Sequence, residues 1–383
     1  MNGHHDNASL AAARWSISTV FLLNGAGIGL WAAHVPVVQA RVGIDTATLS
    51  MVLLTIAAGA LLAMPLMGGF TARWGTRRMI LLSGFVFAPM LALIMNVSDL
   101  PLLFLAAFAF GAANGALDVA MNANASEVET ARGIPTMSSF HGFFSLGGLL
   151  GAALGGFIIG QGWGDGAGAF VMGIVTVLAL ALAAPRVMAF APTHAAGSHF
   201  QLPRGAALSL GLLALLCFAV EGALVDWSAL LMQERTGAAP SRAALAYSAF
   251  SVAMAACRFL GDRLILRFGA LRVMVLGGLA MFAGLATAVL STSFLLSAAG
   301  FALIGIGAAN VVPLLFGAAS RIPGMSAGAG VAAVATLGYG GLLLAPPVLG
   351  YIAAHASVMV ALGMLSLSGL VIAMSAGVIK GQA

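Results

Sequence analysis

Residues 54–84 read LTIAAGALLAMPLMGGFTARWGTRRMILLSG. An apolar run is interrupted by the short basic stretch ARWGTRR (72–78), and apolar residues then resume. A helix that crosses a bilayer needs about 20 apolar residues. The flanking runs, 48–70 and 79–97, are long enough. The stretch therefore reads as two membrane spans joined by a tight basic turn, with Gly75 as the turn signal.

The rest of the chain follows the same pattern. Of 383 residues, 61% are hydrophobic and 7% charged, and the mean hydropathy is +1.07. A soluble domain carries about a quarter charged residues, so this composition excludes one. Twelve apolar segments can be drawn: 15–38, 48–70, 79–97, 101–124, 136–160, 167–189, 207–233, 242–262, 273–291, 294–317, 325–352 and 357–379. They are too long and too uniformly apolar for barrel strands, so the fold class is all-α integral membrane. The first apolar run follows an N-terminus without the marks of a cleaved signal, and is expected to stay. A net charge of +5 does not point to nucleic acid, because the basic residues are scattered and form no patch. Cys217 and Cys257 lie in apolar segments and read as packing residues. The sequence contains no Walker loop, nucleophile elbow or Cys/His metal cluster, so neither an enzyme nor a cofactor is expected.

Arg and Lys set the orientation. With the N-terminus inside, most of the 16 basic residues fall on the cytoplasmic side; Arg41, Arg235 and Arg242 fall outside, and Arg258 lies within the eighth segment. Both termini are expected to be cytoplasmic, in a bacterial inner membrane. The longest polar connection, 190–206, divides the chain into halves 1–189 and 207–383. The halves resemble each other. YSAFSVAMAACRFLGDRLILRFGALRVMVLGG (247–278) parallels the opening stretch, and Arg267-Phe268-Gly269 matches Arg73-Trp74-Gly75. A six-helix parallel repeat is one transporter architecture, with its site near midplane between the halves.

The turn Gly68-Gly69-Phe70-Thr71-Ala72-Arg73-Trp74-Gly75-Thr76-Arg77-Arg78 resembles the loop 2–3 signature of the major facilitator superfamily: a Gly, an Asp four residues on, then Arg-x-Gly and basic residues. The resemblance implies two pseudo-symmetric six-helix bundles and alternating access. It departs at one position, where Ala72 replaces the Asp that in the family helps hold the inward gate shut. The second-half copy keeps Asp262, Arg263, Arg267 and Gly269. The resemblance makes Arg73, Arg77, Arg78, Arg258 and Asp262 gating candidates. Arg258 and Asp262 stand one helical turn apart, which also suits a salt bridge at a helix end. A narrower resemblance is to the fucose-permease-like proton symporters. Asp118 followed by Asn122 matches their fourth helix, and His141 before Ser145-Leu146-Gly147 their fifth. Their first helix carries a coupling carboxylate, where this sequence has Asn24.

The residues 110–129, FGAANGALDVAMNANASEVE, set a polar stripe in an apolar helix. Asn114, Asp118 and Asn122 recur every four residues and share one face, which should turn away from lipid. His141 falls at a similar depth on the next segment. An Asp118–His141 pair could share a proton as the cavity wets and dries, or form a fixed hydrogen bond, with Ser138 or Ser139 as partners. Glu221, near the middle of the seventh segment, is either protonated or paired across the cavity. Asp118, His141 and Glu221 are the proton-coupling candidates. Asn24, Trp31, Asn114, Asn122, Asp226, Trp227 and Asn310 are the substrate-binding candidates. A flat indole beside amides and acids suits a sugar, and Pro313 can bend the helix at Asn310. Trp15, Trp74 and Trp163 read as interfacial belt residues, Glu127 and Glu129 as inner-loop charges, and His34 and His355 as solvated. Gly147, Gly151 and Gly155 form a ridge for close helix approach.

These residues are expected to line one central cavity. The expected function is secondary active transport of a small polar solute, sugar or polyol-like, by proton symport. Proton-coupled export of drugs or metabolites is the alternative. The partners are a small-molecule substrate, protons and the lipid bilayer, with the chain acting as a monomer.

Overall fold

The structure is a computed structural model that describes residues 7–162, 167–190, 204–238, 240–243 and 245–382. The described residues form fourteen α-helices: α1 (Asn7–Val42), α2 (Thr46–Trp74), α3 (Thr76–Asn96), α4 (Leu100–Arg132), α5 (Met137–Gly160), α6 (Ala167–Ala183), α7 (Ala206–Thr236), α8 (Pro240–Ala243), α9 (Leu245–Phe268), α10 (Ala270–Leu290), α11 (Phe294–Ala308), α12 (Val311–Ala319), α13 (Ala327–His355) and α14 (Val358–Met374). Short 3₁₀ turns follow α6 and α14, the latter Ala376–Gln382.

Ten helices, with α11 and α12 counted as one span, are long and apolar enough to cross a membrane. Two more complete twelve: α6, shorter but apolar, and α9, which carries Arg258, Asp262, Arg263 and Arg267. Trp163 and most of the 190–206 connection lie outside the described residues.

Several boundaries differ from those drawn on the sequence. Helix α4 runs past 124 to Arg132, so Glu127 and Glu129 are helical, not in a loop. Charged residues are good helix formers, and the chain stops only at Gly133, which is left-handed at φ 64°. Helix α1 continues through Pro36 to Val42. The tenth segment is broken: α11 ends at Ala308, and Asn310 caps α12 at φ −106°, ψ −3°. Pro313 lies in the first turn of α12, where its missing N–H is tolerated.

The repeat is visible in backbone geometry. Gly75 joins α2 to α3 at φ 83°, ψ 150°, and Gly269 joins α9 to α10 at φ 81°, ψ 149°. Only glycine adopts that conformation readily. Beside each turn an arginine covers the next aromatic ring: Arg73 lies 5.7 Å from the Trp74 centroid and Arg267 lies 5.5 Å from that of Phe268.

The chain forms two compact units. The first comprises Met1–Ile134, Phe140–Gln201 and Gly324–Ala332; the second comprises Pro135–Ser139, Leu202–Pro323 and Ala333–Ala383. The first turn of α5 thus belongs with the second unit, and that of α13 with the first. In the first unit α4 packs on α2 and α3, and Phe110 stacks on Phe87 at 5.4 Å in its core. In the second, α10 packs on α11 and α14.

The expected glycine ridge does its work between α1 and α5 of the first unit. A Cβ at Gly147 would run into the Leu22 carbonyl, and one at Gly151 into that of Ala26. From the other side, side chains at Gly25 and Gly29 would strike the carbonyls of Phe144 and Gly148. Without Cβ atoms the backbones pack in direct contact, the main attraction open to helices that share an apolar solvent. Gly151→Val should therefore lower the melting midpoint of the detergent-solubilised protein by several degrees, since overpacking costs about 1–3 kcal/mol. Gly156→Val, at a position with open space around it, should leave the midpoint within about a degree. Equal effects would remove the ridge from this role.

Candidate functional site

In the first unit the polar stripe of α4 is a connected network. Asn24 of α1 donates from Nδ2 to Asn114 Oδ1 at 2.8 Å. One turn along, Asn122 Nδ2 donates to the Asp118 carbonyl at 2.9 Å and to Asp118 Oδ1 at 3.2 Å. The Asn122 amide is thereby fixed, and its Oδ1 faces His141 Nε2 at 3.1 Å. An amide oxygen only accepts, so Nε2 carries the hydrogen. The expected Asp118–His141 pair is thus linked through Asn122. All three side chains are buried: Asp118 is 6% exposed, Asn122 0% and His141 8%. Phe21 closes one side, its ring 5.5 Å from the imidazole. Trp31 is also buried, 6.0 Å from Phe110.

A second cluster, which sequence reading missed, ties the C-terminal part of α4. Asn124 Nδ2 donates to Thr76 Oγ1 at 2.8 Å and to the Met188 carbonyl at 3.0 Å. Thr76 Oγ1 donates in turn to Glu127 Oε2 at 2.7 Å. Glu127 is therefore a half-buried structural acceptor at the α2–α3 turn, not a solvated loop charge. Thr76 gave no sequence signal, because a hydroxyl in an apolar helix usually bonds its own backbone.

In the second unit Glu221 of α7 meets Arg258 of α9, Oε1 to Nη2, at 3.8 Å. Cys217 Sγ, one turn away, lies 3.7 Å from the same oxygen. Arg258 Nε donates to the Ala309 carbonyl at 3.3 Å, where α11 ends. The guanidinium thus serves both an acid and the broken helix, and cations suit a helix C-terminus. The partner of Glu221 is within its own unit, and Arg258 links α7 to the end of α11. Asn310 Nδ2 points to Cys257 Sγ at 3.7 Å.

Asp262 accepts from the backbone of α5's first turn: from Ser138 N at 3.1 Å, and from Ser139 N at 3.3 and 3.2 Å. Four N–H groups at a helix start have no partner within the helix, and a carboxylate suits them. Next to Asp262, a Cβ at Gly261 would collide with Ser138 and with Asn310 Oδ1. The repeat gives this contact a counterpart in the first unit. Counted from the matching turn glycines, Gly75 and Gly269, the first-unit position equivalent to Asp262 is Gly68, where a Cβ would meet the Gly328 carbonyl. A Cβ at Gly328, in the first turn of α13, would collide with Thr71 Oγ1. Neither Gly68 nor Ala72 brings an acid to this helix start. The Ala329 N–H is accepted by Ser326 Oγ at 3.2 Å.

The remaining candidates are dispersed. Arg73 and Arg78 are exposed and Arg77 half-buried. The Asp226 side chain lies outside the described residues. The Trp227 ring lies beside Gly350, and its indole N–H has no partner among the described residues. His355 is exposed as expected, but His34 is 2% exposed, with Nδ1 2.9 Å from the Leu30 carbonyl. Gly155, which lacks a side chain, makes room for that imidazole.

Residues 16–220 match the family model of the Major Facilitator Superfamily. The chain is 37% identical over 374 residues to an uncharacterised MFS-type transporter of Yersinia pestis, spanning 97% of each. It is 34% identical over 360 residues to the membrane protein MosC of Rhizobium meliloti, spanning 92% of this chain and 86% of that one. Among solved structures, the Escherichia coli fucose:proton symporter superposes with a TM-score of 0.78 at 14% identity, over 98% of this chain and 99% of that one. The proton:xylose symporter XylE gives 0.79 at 13% identity, over 97% and 95%, and the human organic anion transporter MFSD10 gives 0.76 at 15%, over 96% and 99%. At these identities the structures establish the fold, and the family match and the curated relatives establish membership. The chain belongs to the major facilitator superfamily and is a membrane transporter.

Proposed function

We propose that the protein moves a small polar solute, sugar or polyol-like, by proton symport with alternating access across a bacterial inner membrane, both termini cytoplasmic. The observation that carries this reading is the buried chain Asp118–Asn122–His141, with the Asn24–Asn114 amide pair one turn away. Amides donate and accept at once, as hydroxyl-rich ligands require. A titratable acid and an imidazole joined through one amide can exchange a proton when hydration or a neighbouring charge changes. Two solved structures of this fold are a fucose:proton symporter and a proton:xylose symporter, which agrees with this reading. The Glu221–Arg258 pair is the second coupling candidate: protonation of Glu221 would release Arg258 to hold the Ala309 carbonyl alone.

In proteoliposomes, Asp118→Asn should abolish concentrative, proton-driven uptake while retaining substrate binding within about tenfold. Glu221→Gln should do the same only if it carries the proton, and otherwise weaken binding. Proton uptake on substrate addition is the measurement, after a thermal-shift screen of sugars, polyols and drugs has identified the ligand. Normal uptake by both variants would overturn this coupling assignment. Drug hits with outward flux would replace the symport reading by export.

Asp262 is the gating charge in this reading, since Ala72 cannot supply it in the first repeat. Asp262→Ala should speed the labelling of a Thr136→Cys reporter by a membrane-impermeant maleimide several-fold, because the first turn of α5 loses its acceptor. Asp262→Asn, which still accepts, should speed it less. Unchanged labelling in Asp262→Ala would remove Asp262 from this role.

A further inference from the structure

A groove opens where the first turns of α7 meet the C-terminal end of the chain, inside the second unit. Its volume is about 400 Å³, and its walls are Leu212, Leu213, Leu215 and Leu216 of α7 facing Val371 and Val378, with Ser209 and Ser375 as its polar members. Leu212 is 47% exposed and Val371 44%, so the groove is open to the side. Two cations lie five residues along the chain from its polar members, Arg204 before Ser209 and Lys380 after Ser375. Arg204 is exposed and stands two residues before the first residue of α7. Lys380 is exposed on the 3₁₀ turn Ala376–Gln382, which packs on α7 and contains the lining residue Val378. The helix end between them adds to the positive field: Gly205 makes no side-chain cap for α7, and its first turn has no acid.

An apolar groove open to the side, with two exposed cations in the chain just beyond its serines, has the polarity of one molecule: an acyl chain joined to an anionic headgroup. We infer that this groove binds an anionic phospholipid, with its chain against Leu212, Leu216 and Val371 and its phosphate at Arg204 and Lys380. Cations beside a membrane interface attract anionic lipid by about 1 kcal/mol each, and an apolar chain gains further by filling the crease. A zwitterionic lipid would gain the second term and much less of the first. The groove shares no residue with the polar clusters that carry the transport reading, so the site stands or falls independently of substrate and coupling.

The test uses the full-length protein in nanodiscs of phosphatidylcholine with increasing phosphatidylglycerol, read by native mass spectrometry of retained lipid and by melting midpoint. The parent should retain phosphatidylglycerol in preference to phosphatidylcholine and melt higher as its fraction rises. Arg204→Gln/Lys380→Gln changes two exposed side chains and should lower that preference on the order of tenfold. Leu212→Trp, which fills the groove, should lose retained lipid of both kinds. Glycerol 3-phosphate, which has the phosphate without the chain, should leave the midpoint unchanged. Equal retention of the two lipids by the parent, an undiminished preference in the double variant, undiminished retention in Leu212→Trp, or a midpoint raised equally by glycerol 3-phosphate would each overturn the assignment.

Discussion

Asp118 is a carboxyl group in a helix that would otherwise be at home in hydrocarbon, and the bilayer core supplies no water to satisfy it. A charged or unpaired polar group there costs at least a few kcal/mol. That constraint explains the layout of the first unit. The polar residues of α4 fall on one face, and each is met from within: Asn114 by Asn24, Asp118 by Asn122, and Asn122 by His141. The apolar remainder of α4 packs on α2 and α3. Arg258 answers the same demand in the second unit by serving Glu221 and the carbonyl at the end of α11 together. A helix can break in mid-membrane only where its freed groups find partners, and here the guanidinium is one of them.

The two repeats share backbone geometry and differ in chemistry. The turns at Gly75 and Gly269 agree within two degrees in φ, and an arginine covers an aromatic ring at both. At the helix starts the contacts differ: Thr71 fills the space left by Gly328, while Gly261 leaves space for Ser138 and Asn310. Close packing needs one small partner in each pair, not the same one. Asp262 has Gly68 as its counterpart, and neither Gly68 nor Ala72 is an acid. One helix start is capped by a carboxylate on another helix and its counterpart by Ser326, so the two ends need different energies to part.

Much of this was legible in the sequence. Length and apolar density fixed twelve spans, and the four-residue spacing of Asn114, Asp118 and Asn122 placed them on one face. The Gly147–Gly151–Gly155 ridge announced a close approach without naming α1 as its partner. What escaped depended on contacts far apart in the chain. Arg258 stands one turn from Asp262, and local spacing cannot reveal that it meets Glu221 on another helix while Asp262 turns to the start of α5. His34 read as solvated because its burial depends on the missing side chain of Gly155. The charges of 127–132 read as a loop because charge marks a membrane boundary, whereas a helix continues past the boundary until a glycine stops it.

The central claim is that Asp118 changes protonation as substrate comes and goes while its hydrogen-bonded surroundings stay in place. Substrate-induced infrared difference spectroscopy on the reconstituted protein tests it most directly, because a protonated carboxyl and a carboxylate absorb in separate regions. The account predicts a carboxyl signal on substrate addition that disappears in Asp118→Asn while the amide bands remain. A signal that persists unchanged in that variant, or none in the parent at saturating substrate, would contradict it.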